Sequence, residues 1–553
     1  MMKETGVLVV GGGPAGLLAS IRAAQKGARV ILVEKNRQLG RKLRITGKGR
    51  CNITNTGEIN DFVRQYGGQG SFLYSVFSRF FHQDILWLLA EAGVETKEER
   101  GGRIFPESDQ ASDVAEALER LALEAGVEIL KGCRVRNLLL EPAADGQSPK
   151  RVAGESLKRV AGESLKRVAG VALDDAWDRS EIRAKVVILA TGGMSYPATG
   201  STGDGYDWAE NAGHKVVTPR PALVPLESSS AWVYELAGLT LKNVQASLWV
   251  YDADDEGGDA AVNDEAAKAS GAALADGVAL SDGTTFSDGV KFSSGAMQPD
   301  GMTLSGGVAL PSGTMLSSEA VTREVALSDG TALSDGATLS SGVVKAVRLA
   351  AFQGEMLFTH FGISGPIVLS LSRYFPAEER TNVRILIDMK PALSAEVLDK
   401  RLQRDFQKYQ KKQLANAMVE LLPKAMIPAV IRCAELDGAL PVAELTRGQR
   451  LKLGETLKAL PIEITGTRPM DEAIVTAGGV DLPEVDPKTM ASKKVAGLYF
   501  AGELLDIDGL TGGYNLQAAF STGWAAGEGA ANAAGVVKSA AEDVVGQAPL
   551  DRA

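Results

Sequence analysis

Val7-Leu-Val-Val-Gly-Gly-Gly-Pro-Ala-Gly16 decides how the rest of this chain is read. A short apolar run, VLVV, leads straight into Gly11, Gly13 and Gly16, spaced G-x-G-x-x-G. A helical pattern follows from Ala15 to about Lys26, and a second apolar run, Arg29-Val-Ile-Leu-Val33, ends on Glu34. Strand, glycine turn, helix, strand and terminal carboxylate make up a dinucleotide-binding unit. Gly11 permits the tight turn, Gly13 lets the backbone approach a pyrophosphate, and Gly16 lets helix and strand pack closely. Pro14 and Ala15 open the helix, whose free N–H groups and partial positive charge suit phosphates. Glu34 is placed to accept hydrogen bonds from ribose hydroxyls. It disfavours a ribose 2′-phosphate, so FAD or NAD is expected rather than NADP.

The chain has 553 residues, enough for two or three domains. No apolar run reaches membrane-span length, and the start reads as a cytoplasmic chain without a signal peptide. Cys51, Cys133 and Cys433 lie far apart, and His82, His214 and His360 show no ligand spacing, so no metal is expected. The net charge of −10 is unevenly distributed. From Asp252 to Gly342 there are 15 Asp/Glu and 3 Lys/Arg, a net of −12, which leaves +2 for the rest. That near-neutral body gives no basic footprint, and no nucleic acid or membrane partner is expected.

Beyond Glu34 and Lys35, the stretch Gly40-Arg-Lys-Leu-Arg-Ile-Thr-Gly-Lys-Gly-Arg-Cys-Asn-Ile-Thr-Asn55 is rich in glycine and cations. Arg41, Lys42, Arg44, Lys48 and Arg50 give an anionic ligand an electrostatic partner, and Gly47 and Gly49 leave the backbone open. Cys51 reads as a small packed residue rather than a redox thiol. Phe72–Ala92 is expected as one aromatic core helix containing Phe77, Phe80, Phe81 and Trp87. A second helix over Asp113–Ala125 is expected to be capped by Ser112. Val127–Leu130 and Arg134–Leu140 read as strands. Ala184-Lys-Val-Val-Ile-Leu-Ala-Thr-Gly-Gly193 reads as a buried parallel strand whose end, Ala190 to Gly193, faces the cofactor. Between them KRVAGESL occurs twice in tandem from Lys150, followed by a third KRVAG, read as a hairpin loop or short helix.

Ala222–Tyr251 is strand-rich. Asp252–Gly342 is dominated by small and polar residues in units such as ALSDGT, and disorder or a poorly packed β-extension is expected. His360 lies in the loop-like stretch Gly354–Leu369. Ala395–Leu460 is helical and rich in Lys, Gln and Leu, with breaks at Pro423, Pro428 and Pro441. Gly497-Leu-Tyr-Phe-Ala-Gly-Glu503 is another strand ending at the ligand. After Asp508, Gly512-Gly513 opens a small-residue helix through Ala525, whose positive end can stabilise charge on a reduced flavin ring.

Four stretches, GGGPAG, GRKLRITGKGRCNITN, FTHFGISGP and GLYFAGELLDIDGLTGGYNLQAAFSTG, together resemble the BaiN/YhiN-like bacterial FAD-dependent oxidoreductases, also labelled aminoacetone-oxidase-type flavoproteins. The resemblance implies an α/β fold: a discontinuous Rossmann-like FAD-binding domain with an inserted β-barrel-like domain and a helical subdomain. The boundaries read as 1–218 and 463–535 for the FAD domain, 219–390 for the barrel, 391–462 for the helical part and 536–553 for a tail. It implies FAD contacts at Gly11, Gly13, Gly16, Glu34, Arg41, Thr46, Gly47, Arg50, Cys51, Asn52, Val135, Thr191, Gly192, Gly502, Glu503 and Gly513 to Gln517, that is Tyr514, Asn515, Leu516 and Gln517. The implied chemistry is reduction of a carbon–carbon double bond conjugated to a carbonyl in dehydro bile-acid steroids. NAD(P)H is expected as a transient electron donor, since no second G-x-G-x-x-G is present. His360 is the acid/base candidate, with a loop-orienting role left open, and Tyr514 is the second. An O₂-using amine oxidase, an RNA-modifying flavoprotein and a sensor remain as rivals.

Overall fold

The computed structural model describes residues 3–143, 166–174, 181–251, 324–325, 333–337, 346–376 and 382–535. The chain forms two compact units, one of Met1–Ala222 with Met470–Ala553 and one of Leu223–Pro469.

The first unit is built on β1 (Lys3–Val10), α1 (Pro14–Gln25) and β2 (Val30–Glu34). β1 lies parallel between β2 and the strand Glu181–Leu189. Glu128–Lys131 extends the sheet beyond β2, and Leu498–Phe500 pairs in parallel with the far half of Glu181–Leu189. The register aligns Val10 with both Val33 and Leu189, and Leu189 with Phe500. Four parallel strands therefore end at one level, and the loops beyond them converge there. Both faces of β1 are covered, which is why VLVV is continuous rather than alternating in polarity.

α1 packs against the long helix Tyr514–Ala533, and both helices use small residues at the crossing. A Cβ on Gly523 would come within 2.2 Å of the Ala15 carbonyl, and one on Gly527 within 2.3 Å of the Ala19 carbonyl. The small-residue composition is thus a steric requirement of close backbone approach. The helix runs past the expected Ala525 to Ala533.

Several local expectations are corrected. Phe72–Ala92 is two helices, Gly70–Phe77 and His82–Glu91. The first ends where the Ser78 hydroxyl turns back to the Ser75 carbonyl, and the second starts where Asp84 accepts the Phe81 N–H. Phe77, Phe80 and Phe81 are buried, but Trp87 is 61% exposed. Ser112 lies inside the helix Ala111–Glu124 rather than capping it. The third KRVAG belongs to the strand Lys166–Leu173, held between Val135–Pro142 and Glu181–Leu189; the first two copies lie outside the described residues.

The second unit holds an antiparallel ring. Leu226–Ser228 pairs with Gly362–Ser364, which pairs with Ala346–Phe358. That strand pairs with Thr240–Tyr251, then Asn382–Asp388, then Leu460–Thr467, which returns to Leu226–Ser228. Six strands close on themselves, which removes free sheet edges. Helices Ala395–Lys408, Met426–Cys433 and Arg447–Lys458 join the barrel strands in one hydrophobic core. Pro428 is not a break. It sits in the first turn of Met426–Cys433, where a missing N–H costs little. Most of Asp252–Gly342 lies outside the described residues. Within it Glu324–Val325 pairs with Leu333–Ala337, whose end adds to Ala346–Val347.

Candidate functional site

The strand ends of the first unit place the candidate residues. Gly11 follows β1 with φ +106°, and a Cβ there would strike the Ala190 carbonyl at 2.4 Å. A Cβ on Gly16 would meet the Gly11 carbonyl at 1.8 Å. The N-cap of α1 is Gly13, with Pro14 beginning the first turn, so no side chain blocks the N–H groups there. A Cβ on Gly13 would face open space, with no protein atom within 4 Å. The turn is therefore packed tightly behind and open in front, which is the geometry a pyrophosphate needs.

Glu34 lies at the end of β2, where its carboxylate accepts the Gly12 N–H at 2.7 Å through one oxygen. The other oxygen accepts the N–H and side-chain amide of Asn36. The carboxylate is fixed in orientation beside the glycine turn. Lys35 turns away to Asp204 at 2.9 Å, and Val135 is buried in the same unit.

The basic loop is more internally engaged than its charge suggests. Arg41 donates to the Asn36 side chain, and Arg44 to Glu116. Arg50 forms ion pairs with Glu99 and Asp109 and lies over the Phe105 ring at 4.3 Å. Arg50 holds the Glu99 and Asp109 carboxyls below the usual range, with Lys97 adding to the effect on Asp109. What the loop offers a ligand is chiefly its backbone. Gly47, Lys48, Gly49 and Cys51 all have positive φ. Cys51 is fully buried, and burial pushes its thiol up to about 12, the behaviour of a packed residue rather than a thiolate. Thr46 donates to the Leu43 carbonyl.

Lys42 and Glu503 meet. The Lys42 ammonium lies 2.9 and 2.7 Å from the two Glu503 oxygens and 2.6 Å from the Ser195 hydroxyl. The Thr476 N–H donates to Glu503 at 2.8 Å, and the Thr476 hydroxyl accepts the Met194 and Ser195 N–H groups. Ser195 and Thr476 lay outside the sequence-based selection. Thr476 sits in the stretch IVTAGGV, where the paired glycines were the available signal.

The long C-terminal helix starts at Gly513, φ +98°. A Cβ on Gly513 would lie 2.4 Å from the Thr54 backbone, so the RITGKGRCNITN segment and the helix start are pressed together. The Thr54 hydroxyl donates to Gln517 at 2.7 Å, and Asn55 bridges the carbonyls of Gly101 and Gly512. Asn515 closes a small ring with Gly509. Tyr514 packs edge-on to Phe62 at 5.0 Å and its carbonyl accepts the Tyr66 hydroxyl. Leu516 packs on the first unit's core, and Asp508 is buried. Burial raises the Tyr514 phenol and the Asp506 carboxyl, the latter with help from Asp508.

Among the described residues of this unit, four polar side-chain atoms are buried without a hydrogen-bond partner, Arg22 Nε, His82 Nδ1, Asn52 Oδ1 and the Thr191 hydroxyl, and the last two lie in the loops after β2 and after the strand Glu181–Leu189. Asn52 and Thr191 belong to segments that the sequence assigns to FAD. Together with the open front of Gly13 and the half-buried N-terminus of α1, they make a donor and acceptor set that fits a dinucleotide. His360 belongs to the second unit. It is exposed in the turn between Ala346–Phe358 and Gly362–Ser364. With Glu227, Ser228, Tyr234, Phe361 and Thr465 it lines a cavity of about 360 Å³. No helix among the described residues is long and apolar enough to cross a membrane.

The HI0933-like protein Rossmann domain family matches residues 5–529, and the chain belongs to that family. Its first unit is a Rossmann-type FAD-binding domain. The chain is similar to the 3-dehydro-bile acid delta(4,6)-reductase of Clostridium scindens, 28% identical over 95% of this chain and 98% of that one. It is similar to the ribosomal RNA dihydrouridine synthase of Escherichia coli, 25% identical over 95% of this chain and 97% of that one. Among solved structures it is similar to a 3-ketosteroid-delta4-(5alpha)-dehydrogenase from Rhodococcus jostii, with 13% identity and a TM-score of 0.42, covering 96% of this chain and 97% of that one.

Proposed function

We propose that this chain, an FAD-dependent oxidoreductase of the HI0933-like family, reduces a carbon–carbon double bond conjugated to a carbonyl, with electrons from NADH or NADPH. The observation that carries this reading is the end-to-end similarity to a 3-dehydro-bile acid delta(4,6)-reductase. FAD, when bound, would supply the two-electron hydride chemistry that reduction of a conjugated double bond needs. The chain's own residues do the rest. Gly11 to Gly16 and α1 would hold the pyrophosphate, Glu34, oriented by the Gly12 N–H, would hold the ribose, and the knot of Lys42, Glu503, Ser195 and Thr476 ties their loops together. The positive end of the helix beginning at Tyr514 favours negative charge beside its first turn. His360, exposed in its turn, is the proposed proton donor to the α-carbon, with Tyr514 second.

A second reading has a specific observation behind it. The similarity to a ribosomal RNA dihydrouridine synthase covers the same span of the chain. The C5–C6 bond of uracil is conjugated to the C4 carbonyl, so its reduction makes the same electronic demand as that of an enone. The two readings share a mechanism and differ in what presents the double bond.

An anaerobic titration of the purified protein with NADH and NADPH, following the flavin absorption, is the test. Bleaching by either nucleotide, then reoxidation by a steroid 4,6-dien-3-one, supports the first reading. Reoxidation by a uridine-containing RNA, with dihydrouridine formed, supports the second. A flavin that no nicotinamide bleaches, or one that returns only with O₂ and peroxide, overturns the reductase reading.

A further inference from the structure

We infer that the outer face of the helix Ala395–Lys408 and the turn after it form a docking surface for the phosphate backbone of RNA. The inference rests on the uridine-reducing reading above and gives that reading a place for its substrate. Between Lys400 and Lys412 the sequence Lys-Arg-Leu-Gln-Arg-Asp-Phe-Gln-Lys-Tyr-Gln-Lys-Lys holds six cations and one carboxylate. The chain's net charge of −10 hides this concentration, because the acidity lies elsewhere.

The helix separates its faces cleanly. Leu398, Leu402 and Phe406, four residues apart, are buried in the second unit's core. Lys400, Arg404 and Lys408, also four apart, lie on a face turned to solvent, and the Arg404 and Lys408 side chains are 76% and 59% exposed. Asp405 is shared by Arg401 and, at 3.9 Å, Arg404, and Glu420 is taken by Lys408. Lys400, Lys411 and Lys412 make no ion pair among the described residues. The surface therefore carries uncompensated positive charge.

The glutamines supply the second element. Four of them interleave with the cations from Gln403 to Gln413, while the Tyr409 ring, flanked by the Lys408 and Lys412 ammonium groups at 4.7 and 4.2 Å, holds those two side chains in place. Cations for phosphates and amides for base edges are elements of an RNA contact. An anionic membrane fits less well. A helix lying on a bilayer must turn its apolar face to the lipid, and here that face is already buried in the core.

The test uses the full-length flavoprotein and a fluorescein-labelled, uridine-containing RNA stem-loop, with anisotropy read across a salt series. Affinity should fall steeply with salt. The variant Lys400→Gln/Arg404→Gln/Lys411→Gln/Lys412→Gln should bind at least about tenfold more weakly, with a log–log salt slope shallower by about 2 to 3. Its flavin spectrum and bleaching by nicotinamide should stay unchanged, which shows that it is folded and loaded. RNA binding that the variant leaves intact would overturn this surface and leave uridine reduction standing. Failure to bind RNA, or equal binding to a DNA stem-loop or phosphatidylserine vesicles, would also overturn it. Uridine reduction itself is scored separately, by dihydrouridine content after incubation with excess RNA at low salt, so that the two failures are distinguishable.

Discussion

The ammonium of Lys42 lies 2.7 Å from Oε2 of Glu503, a carboxylate 461 residues further along the chain. One partner sits in the basic segment after β2 and the other just beyond the strand Leu498–Phe500. The pair ties these two segments of the first unit together, and Ser195 and Thr476 brace it. Both side chains are about one-fifth exposed, so the pair is screened but not free in solvent.

Glu503→Gln keeps the side chain's size and removes its charge. Lys42 is then left with Ser195 and a neutral amide. Losing a charge-assisted hydrogen bond at this depth should weaken FAD retention by about tenfold. Flavin released into the filtrate on repeated dilution measures it. Retention equal to the parent protein would show that the pair is not part of the cofactor site.

Gly13→Ala and Gly16→Ala should fail in opposite ways. At position 13 the methyl group meets no protein atom, so the apoprotein should melt as the parent does while flavin content drops sharply. At position 16 the methyl group would sit 1.8 Å from the Gly11 carbonyl, so the turn itself must move. Gly16→Ala should lower the apoprotein's Tm as well as its flavin content. Parallel melting curves and absorption spectra of the two variants check both statements.

Lys458 and Asp388 form a buried pair in the second unit, 2.5 Å apart and 3% and 7% exposed. Lys458 also donates to the Leu393 carbonyl at 2.7 Å. Burial pushes the Asp388 carboxyl up, and Lys458 pulls it back. Lys458→Met strands a carboxylate in the core and should cost about 3–5 kcal/mol in urea unfolding. Adding Asp388→Asn should recover part of that loss.

His214 is buried between the Glu484 carboxylate, 3.1 Å from Nδ1, and the Ser492 hydroxyl, 2.8 Å from Nε2. The set has the residue types of a hydrolytic triad. Ser492 is buried, however, and its oxygen already accepts the Lys494 and Val495 N–H groups, so it serves structure. Burial lowers His214 from 6.5 to about 4. The unfolded chain therefore takes up a proton on this residue at a higher pH than the folded chain does. Its effect on stability is neutral above 6.5 and becomes increasingly unfavourable as pH falls from 6.5 to 4. His214→Gln should be less stable at pH 8 but should show a flatter stability profile over that window, measured by denaturant unfolding at each pH.

Local chemistry was readable directly from residue order. The G-x-G-x-x-G turn, Glu34 at the end of β2 and the Thr191–Gly193 and Gly502–Glu503 strand ends each carry their reason within a few residues. The start of the helix at Ala111 and the break in Phe72–Ala92 were not legible, because the first has no side-chain cap to mark it and the second rests on the turns made by Ser78 and Asp84 rather than on a change in hydrophobic pattern. The partners of Arg50 are not legible in residue order, because Glu99 and Asp109, which engage it, are about 50 and 60 residues distant.

The sequence alone determined the glycine turn at the end of the first strand and its dinucleotide-binding pattern, since turn sterics, the helix N-terminus and a strand-end carboxylate are all short-range. It also indicated that Ala395–Leu460 is helical, within which Ala395–Lys408 is a helix. Tertiary structure decided which charges remain available. Lys42, Arg44 and Arg50 become bound to carboxylates from distant segments, whereas Lys400, Lys411 and Lys412 stay unpaired among the described residues. An ion pair depends on where two chain segments meet, and that meeting is fixed by sheet register and helix packing, which residue order encodes only collectively.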